Sequence, residues 1–338
     1  MKYSVMNWKK ELMDKETKAF AVLSFPAIQL LNISVKELIS SSDNQAKGML
    51  EIASLLPKQS ALVSMMDLSL EAEAFGSEVV FSDDEVPVVK GSIVNNPDDA
   101  KALVIPKIRS KRLDTYLTAI EKVMKSNPDR PVFAGVSGPF TIAGRLMDVS
   151  EIMIQCMMEP EYVKMVLEKV TSFLKEYIGE YKRIGANGIV IAEPLASLMS
   201  PQLMKEFACD YIKEIVDELQ SDDFTIIYHS CGPNVLVGIE EILSTGCEMY
   251  HFGNTVEMVD ILAKVPSNTV VMGNVCPAQF FRNGTVEKMD KEVNKILNAC
   301  KDYSNFVISS GCDIPPLTSW DNIKQFYASV DSFNLGRK

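Results

Sequence analysis

Thr225-Ile226-Ile227-Tyr228-His229-Ser230-Cys231-Gly232 reads as a strand that ends in chemistry. Its first half is apolar and rich in β-branched residues; its second half sets an imidazole, a hydroxyl and a thiol before a closing glycine. Successive side chains of a strand point to opposite faces, so His229 and Cys231 point the same way. A second run of this kind, Asn305-Phe306-Val307-Ile308-Ser309-Ser310-Gly311, ends on Cys312. Outward from these, short runs rich in Val, Ile, Phe or Ala recur at 20–25, 61–66, 132–136, 188–192, 248–252 and 269–273. Each is closed by Gly, Pro, Ser or Asp. Amphipathic stretches such as 161–183 and 201–219 lie between them, apolar at helical steps. Strands alternating with helices in this number predict an α/β fold, a parallel (β/α)8 TIM barrel. Residues 1–60 read as extra N-terminal helices around the first strand, and 75–95 as an insertion after the second. No low-complexity linker or short-period repeat divides the chain, so 1–338 is expected to form a single barrel domain.

Composition narrows the class. The chain has 338 residues, 47% hydrophobic and 23% charged, enough for a large core. A net charge of −11 argues against a nucleic-acid partner, which calls for clustered Lys and Arg. No apolar run approaches the roughly 18 residues of a membrane span. The stretch from Met1 to Lys10 lacks the apolar core of a signal peptide. Seven cysteines, an odd number without disulfide spacing, fit a reduced cytoplasm and favour metal or catalytic roles.

Barrels carry function at the C-terminal strand ends, where the βα loops converge. His229 and Cys231 leave the fifth predicted strand and Cys312 the eighth, so distance in sequence does not keep them apart. A histidine alone is more often a satisfied core residue; a shared strand end with Cys231 makes this one a ligand candidate. Two thiols and an imidazole suit Zn²⁺, and three protein ligands leave one position open for chemistry. Cys156, Cys209 and Cys300 fall in helical patterns and Cys247 precedes a strand, which reads as structural burial. Cys276 and the only other histidine, His251, stand at strand ends, and His251 is expected to face the pocket.

These residues resemble the uroporphyrinogen decarboxylase superfamily, in particular its branch of methylcobamide:coenzyme M methyltransferases and related corrinoid-dependent enzymes of anaerobes. The resemblance covers most of the chain. It runs from Met66-Asp67-Leu68-Ser69-Leu70-Glu71-Ala72-Glu73-Ala74-Phe75-Gly76 through Val136-Ser137-Gly138-Pro139-Phe140-Thr141-Ile142-Ala143 and Ala192-Glu193-Pro194. It continues with His229-Ser230-Cys231-Gly232, Met272-Gly273-Asn274-Val275 and Ser310-Gly311-Cys312-Asp313-Ile314-Pro315-Pro316. The Ser-Gly-Pro-Phe-Thr element is shared by the whole superfamily and speaks to the fold; the His-x-Cys with a distant Gly-Cys separates the zinc methyltransferases.

The resemblance implies that His229, Cys231 and Cys312 bind zinc and that the fourth position takes an acceptor thiol. The methyl donor is then a methylcobamide held on a partner corrinoid protein, and the acceptor a thiol such as coenzyme M, or tetrahydrofolate. Glu193 is expected to orient groups or move a proton, and Ser137, His251 and Asn274 to line the substrate pocket. One departure stands out. Family members can hold a carboxylate after the sixth strand as a fourth ligand, whereas this chain reads Met249-Tyr250-His251-Phe252-Gly253-Asn254-Thr255. Water, His251 or another acid such as Glu193 is expected to take that place. Porphyrinogen decarboxylation, the alternative on the same fold, needs N-terminal arginines, and Val22-Leu23-Ser24-Phe25-Pro26-Ala27-Ile28-Gln29 has none. A non-catalytic corrinoid- or metal-binding barrel is the remaining alternative.

Overall fold

The computed structural model describes residues 4–337; Met1, Lys2 and Tyr3 of the N-terminal stretch lie outside the described residues. Ten strands occur among the described residues: β1 (Ala19–Phe20), β2 (Leu62–Val63), β3 (Glu78–Val80), β4 (Val88–Lys90), β5 (Val132–Ser137), β6 (Gly188–Ala192), β7 (Thr225–Ser230), β8 (Met249–Phe252), β9 (Val270–Val275) and β10 (Phe306–Ser310). Eight form one sheet in the order β1-β10-β9-β8-β7-β6-β5-β2. Every pair within it is parallel. The sheet closes on itself, because Ala19 of β1 bridges Gln59 just ahead of β2 and the Ser60 N–H donates to the Ala19 carbonyl at 3.0 Å. The expected (β/α)8 barrel is therefore the observed one.

A parallel sheet buried on both faces needs apolar residues at nearly every position, which is why these strands read as continuous apolar runs. Parity still sorts them. In β6, Val190 and Ala192 face the barrel interior while Ile189 and Ile191 pack outward against the helices. In β7, Ile227 faces inward and Ile226 and Tyr228 outward. The interior is filled from its N-terminal end by Phe20, Phe133 and neighbours, and the helix Val5–Leu12 plugs that end with Val5, Trp8 and Leu12. The Trp8 ring lies 5.2 Å from that of Phe133, and its indole N–H donates to the Ser60 carbonyl at 2.8 Å. With the bottom sealed, access is left to the opposite, C-terminal end.

β1 and β2 are shorter than the expected 20–25 and 61–66. Beyond Phe20 the chain stays close to β10, but the Val22 N–H turns to the Ser310 hydroxyl at 3.1 Å instead of a strand carbonyl. The excursion after the second barrel strand is a hairpin, β3 antiparallel to β4 with Val79 opposite Val89. It leaves Val80 and Val88 exposed while Val89 packs toward the core.

Candidate functional site

Inward parity in β7 carries through Ile227 and His229 to Cys231, while β10 runs inward at Val307 and Ser309 before Gly311 and Cys312. One ligand atom from each of His229, Cys231 and Cys312 lies within 4.8 Å of the others. Glycines make this approach possible. A β-carbon on Gly232 would fall 1.5 Å from the Ser197 hydroxyl, so only glycine lets the chain after Cys231 pass the turn at Pro194–Ser197. The Gly311 N–H donates to the Val275 carbonyl at 2.7 Å, and the Gly253 N–H to the Ser230 carbonyl at 3.0 Å, tying the end of β10 to β9 and the end of β8 to β7.

His229 is buried, and its Nε2 has no hydrogen-bond partner. Its Nδ1 lies 2.7 Å from His251 Nδ1 and 3.3 Å from the His251 carbonyl. His251 Nε2 in turn lies 2.7 Å from the Ser309 hydroxyl. Burial, and then the neighbouring His229, hold His251 well below the usual imidazole range, so it is neutral. Two proton arrangements satisfy the chain: His229 donates from Nδ1 to His251 Nδ1 and His251 from Nε2 to Ser309, or Ser309 donates to His251 Nε2 and His251 from Nδ1 to His229 Nδ1. The first arrangement leaves His229 Nε2 a lone pair beside the two thiols, the form a metal takes. The Cys231 thiol is pulled far down, first by the Cys312 thiol hydrogen-bonded to it and then by His229, against the effect of burial. Cys312 is pushed up by Cys231 and by burial.

The other expected site residues are engaged with the protein itself. Glu193 continues the parity of β6 outward, and its N–H still bonds to the His229 carbonyl at 2.8 Å. Its carboxylate accepts from the N–H groups of Phe140 at 2.9 Å and Thr141 at 2.7 Å, and from the Thr141 hydroxyl. It thus caps the helix Pro139–Met147 outside the barrel rather than reaching the thiols. Burial lifts it to about 7 against those three hydrogen bonds. Ser137 is held by Glu71, its hydroxyl donating at 2.8 Å and its N–H at 3.1 Å. The Asn274 amide donates to the Gly253 and Val256 carbonyls at 2.9 and 2.6 Å, pinning the loop after β8. His251, expected against substrate, is fully buried beneath His229 with both ring nitrogens engaged. Neither it nor Glu193 is free to be a fourth ligand. Cys156, Cys247 and Cys300 are buried and pushed up to about 12 by burial, and Cys209 is pushed further. The Cys276 sulfur accepts from the Gln279 N–H and caps its turn.

Two acids were missed. Asp313, directly after Cys312, accepts from the Met66 N–H at 3.0 Å through Oδ2, while Oδ1 has no partner. Burial raises its carboxyl to about 7. Asp67 accepts from Ser69, from the Tyr116 hydroxyl at 2.7 Å and from Arg112. Both line a cavity of about 370 Å³ that also reaches Cys312 and runs beneath the β3–β4 hairpin. An acid following Gly-Cys at a barrel strand end was the available signal for Asp313.

Among the described residues, a metal would be held by His229 Nε2, Cys231 and Cys312. The orphaned, buried Nε2 and the soft donor set fit zinc.

The uroporphyrinogen decarboxylase (URO-D) family model matches residues 22–333. The chain belongs to that family. Among its relatives is a methylcobamide:CoM methyltransferase, MtbA, of Methanosarcina acetivorans, 26% identical over 79% of this chain and 78% of that protein. A uroporphyrinogen decarboxylase of Vesicomyosocius okutanii is 24% identical over 81% of this chain and 80% of that one. Family members are thus both methyltransferases and decarboxylases, and overall identity does not separate them. A methyltransferase structure from Methanosarcina mazei superposes with a TM-score of 0.85, covering 98% of this chain and 99% of that one at 22% identity. The B12-independent methionine synthase of Shewanella sp. W3-18-1 gives 0.63 at 14% identity, covering 94% and 96%. Both superpositions speak to the shared barrel. Among the described residues, no helix is long and apolar enough to cross a membrane.

Proposed function

We propose that this URO-D family member is a zinc-dependent methyltransferase that moves a methyl group from a methylcobamide on a partner corrinoid protein to a small thiol. The observation that carries the reading is the convergence of His229 Nε2, buried and without a hydrogen-bond partner, on the two thiols of Cys231 and Cys312. Zinc bound there would supply Lewis acidity, letting an acceptor thiol react as a thiolate near neutral pH. The chain's own residues do the rest. His251, itself held by Ser309, orients the His229 ring; Asn274 and Gly253 hold the loop against Cys231; the Trp8 plug closes the interior to water from below. The reaction forms an S–CH₃ bond and breaks the Co–CH₃ bond, leaving that electron pair on cobalt and releasing the thiol proton.

A thiol suits the site better than tetrahydrofolate because the cavity beside Cys312 is small, about 370 Å³. Decarboxylation of a porphyrinogen, which calls for several cations against its carboxylates, is disfavoured by a cavity lined by one cation, Arg145. A sequestering barrel is disfavoured because no fourth protein ligand joins the three among the described residues. The test is metal analysis together with methylcobalamin demethylation, run in parallel with coenzyme M, homocysteine and tetrahydrofolate. One zinc per chain and cob(I)alamin formation with a thiol are expected. A zinc-free protein, or turnover with tetrahydrofolate alone, would overturn the reading.

A further inference from the structure

The cavity beside Cys312 is mostly apolar, walled by Phe25, Leu68, Val86 and Ile314 among others. Its one cation is Arg145, in the last turn of the helix Pro139–Met147. The nearby Arg112 already has two counter-charges, Asp67 on the cavity wall and Glu73 at 2.6 Å. Arg145 is not engaged at all. It is half-buried, yet among the described residues it meets no carboxylate, carbonyl or hydroxyl within hydrogen-bonding distance. With no acid against it, burial alone acts on it and pulls its pKa down. Of the acids lining the cavity, Asp67 is paired with Arg112, Asp313 accepts from the Met66 N–H, and Glu85 is exposed. None answers Arg145. Taking a guanidinium partly out of water without a counter-charge is unfavourable, and a bidentate anion reverses the balance.

We propose that Arg145 determines acceptor specificity by pairing with an anionic group, so that the acceptor is a short thiol that also carries a sulfonate or a carboxylate. The inference rests on the reading of the metal centre above, which places the acceptor's sulfur at the Cys312 end of the cavity. Arg145 lines the same small cavity as Cys312, so a short molecule that fills it meets both. The guanidinium fork matches the planar carboxylate and two oxygens of a sulfonate equally well.

Calorimetric titration of the zinc-loaded protein with 2-mercaptoethanesulfonate, homocysteine and uncharged 2-mercaptoethanol tests this. An anionic thiol is expected to bind at least about tenfold more tightly than 2-mercaptoethanol. The stronger of the two anionic thiols distinguishes sulfonate from carboxylate. Arg145→Gln removes the preference while zinc content and melting temperature are retained, and Arg145→Lys keeps part of it. Ethanesulfonate and propionate, which lack a thiol, are titrated into zinc-free protein as well. Their binding, lost in Arg145→Gln, supports the anchor even if the metal reading fails. Equal zinc-dependent affinity for charged and uncharged thiols, or a preference that survives Arg145→Gln, overturns the anchor and leaves the metal reading standing.

Discussion

A β-carbon placed on Gly253 would lie 2.6 Å from both Cα and Cβ of Cys231. Gly253 is the inward-facing position just past β8, in line with Met249 and His251, and the neighbouring strand's thiol residue already fills the space in front of it. This accounts for the missing acid after β8: a side chain at that position and Cys231 in its present place exclude each other. Gly253→Ala is therefore expected to displace Cys231, at a stability cost of about 1–3 kcal/mol. Zinc affinity by chelator competition should fall while the far-UV circular dichroism of the barrel is kept. Unchanged affinity would show that Cys231 is not held by this contact.

Removing a ligand outright isolates the metal from the fold. Cys312 lies in the loop after β10, and the barrel core is built from other residues. Cys312→Ser is expected to lose stoichiometric zinc and methyl transfer while urea unfolding keeps its cooperativity. Full activity with bound zinc in that variant would sink the site.

His251 is predicted to act through His229. His251→Phe keeps an aromatic ring in the interior, beside Phe20 at 6.0 Å, but removes the ring nitrogen 2.7 Å from His229 Nδ1 and leaves only the more distant backbone carbonyl. Loss of such a partner weakens metal binding by about 10–100-fold. Zinc dissociation constants check it, and the intact Cys pair makes complete loss of zinc the wrong outcome.

The contrast between His229 and Glu193 shows what was legible. Strand ends were readable because a doubly buried strand is apolar throughout and breaks off sharply, which put His229, Cys231 and Cys312 at the correct end of the barrel. Glu193 also follows a strand, but counting faces from Val190 turns it outward onto the helix Pro139–Met147, a parity the sequence holds and a strand-end reading alone passes over. His251, Ser137 and Asn274 depended on partners from other strands and loops, namely His229, Glu71 and the carbonyl of Gly253, and no local pattern names those. The hairpin β3–β4 was readable only as an excursion; its two short strands and its place over the cavity came with tertiary structure.

Glu193 should therefore behave as a cap. Glu193→Ala leaves the Phe140 and Thr141 N–H groups buried without their acceptor, a loss of about 1–3 kcal/mol for each unsatisfied group. Thermal or urea unfolding should record that loss while the purified folded variant binds zinc as the parent does. Wild-type stability with abolished turnover would instead restore a catalytic role.

Glu71 gives the chain a pH dependence of definite sign. Burial raises its carboxyl from 4.5 to about 7, against two hydrogen bonds from Ser137. Between those values the folded state holds a proton that the unfolded state has released, so this group's contribution falls as pH rises through the window and levels off above it. A shift of this size corresponds to roughly 3 kcal/mol once the group is fully ionised. Glu71→Gln removes the titration and keeps both partners, because the amide oxygen accepts from the Ser137 N–H and the amide nitrogen can donate to the Ser137 hydroxyl. Urea unfolding between about pH 5 and about pH 8 should show the variant gaining on the parent as pH rises, with its curve flatter by up to one proton. Parallel curves for the two proteins would mean that Glu71 ionises in the folded state as readily as in the unfolded chain.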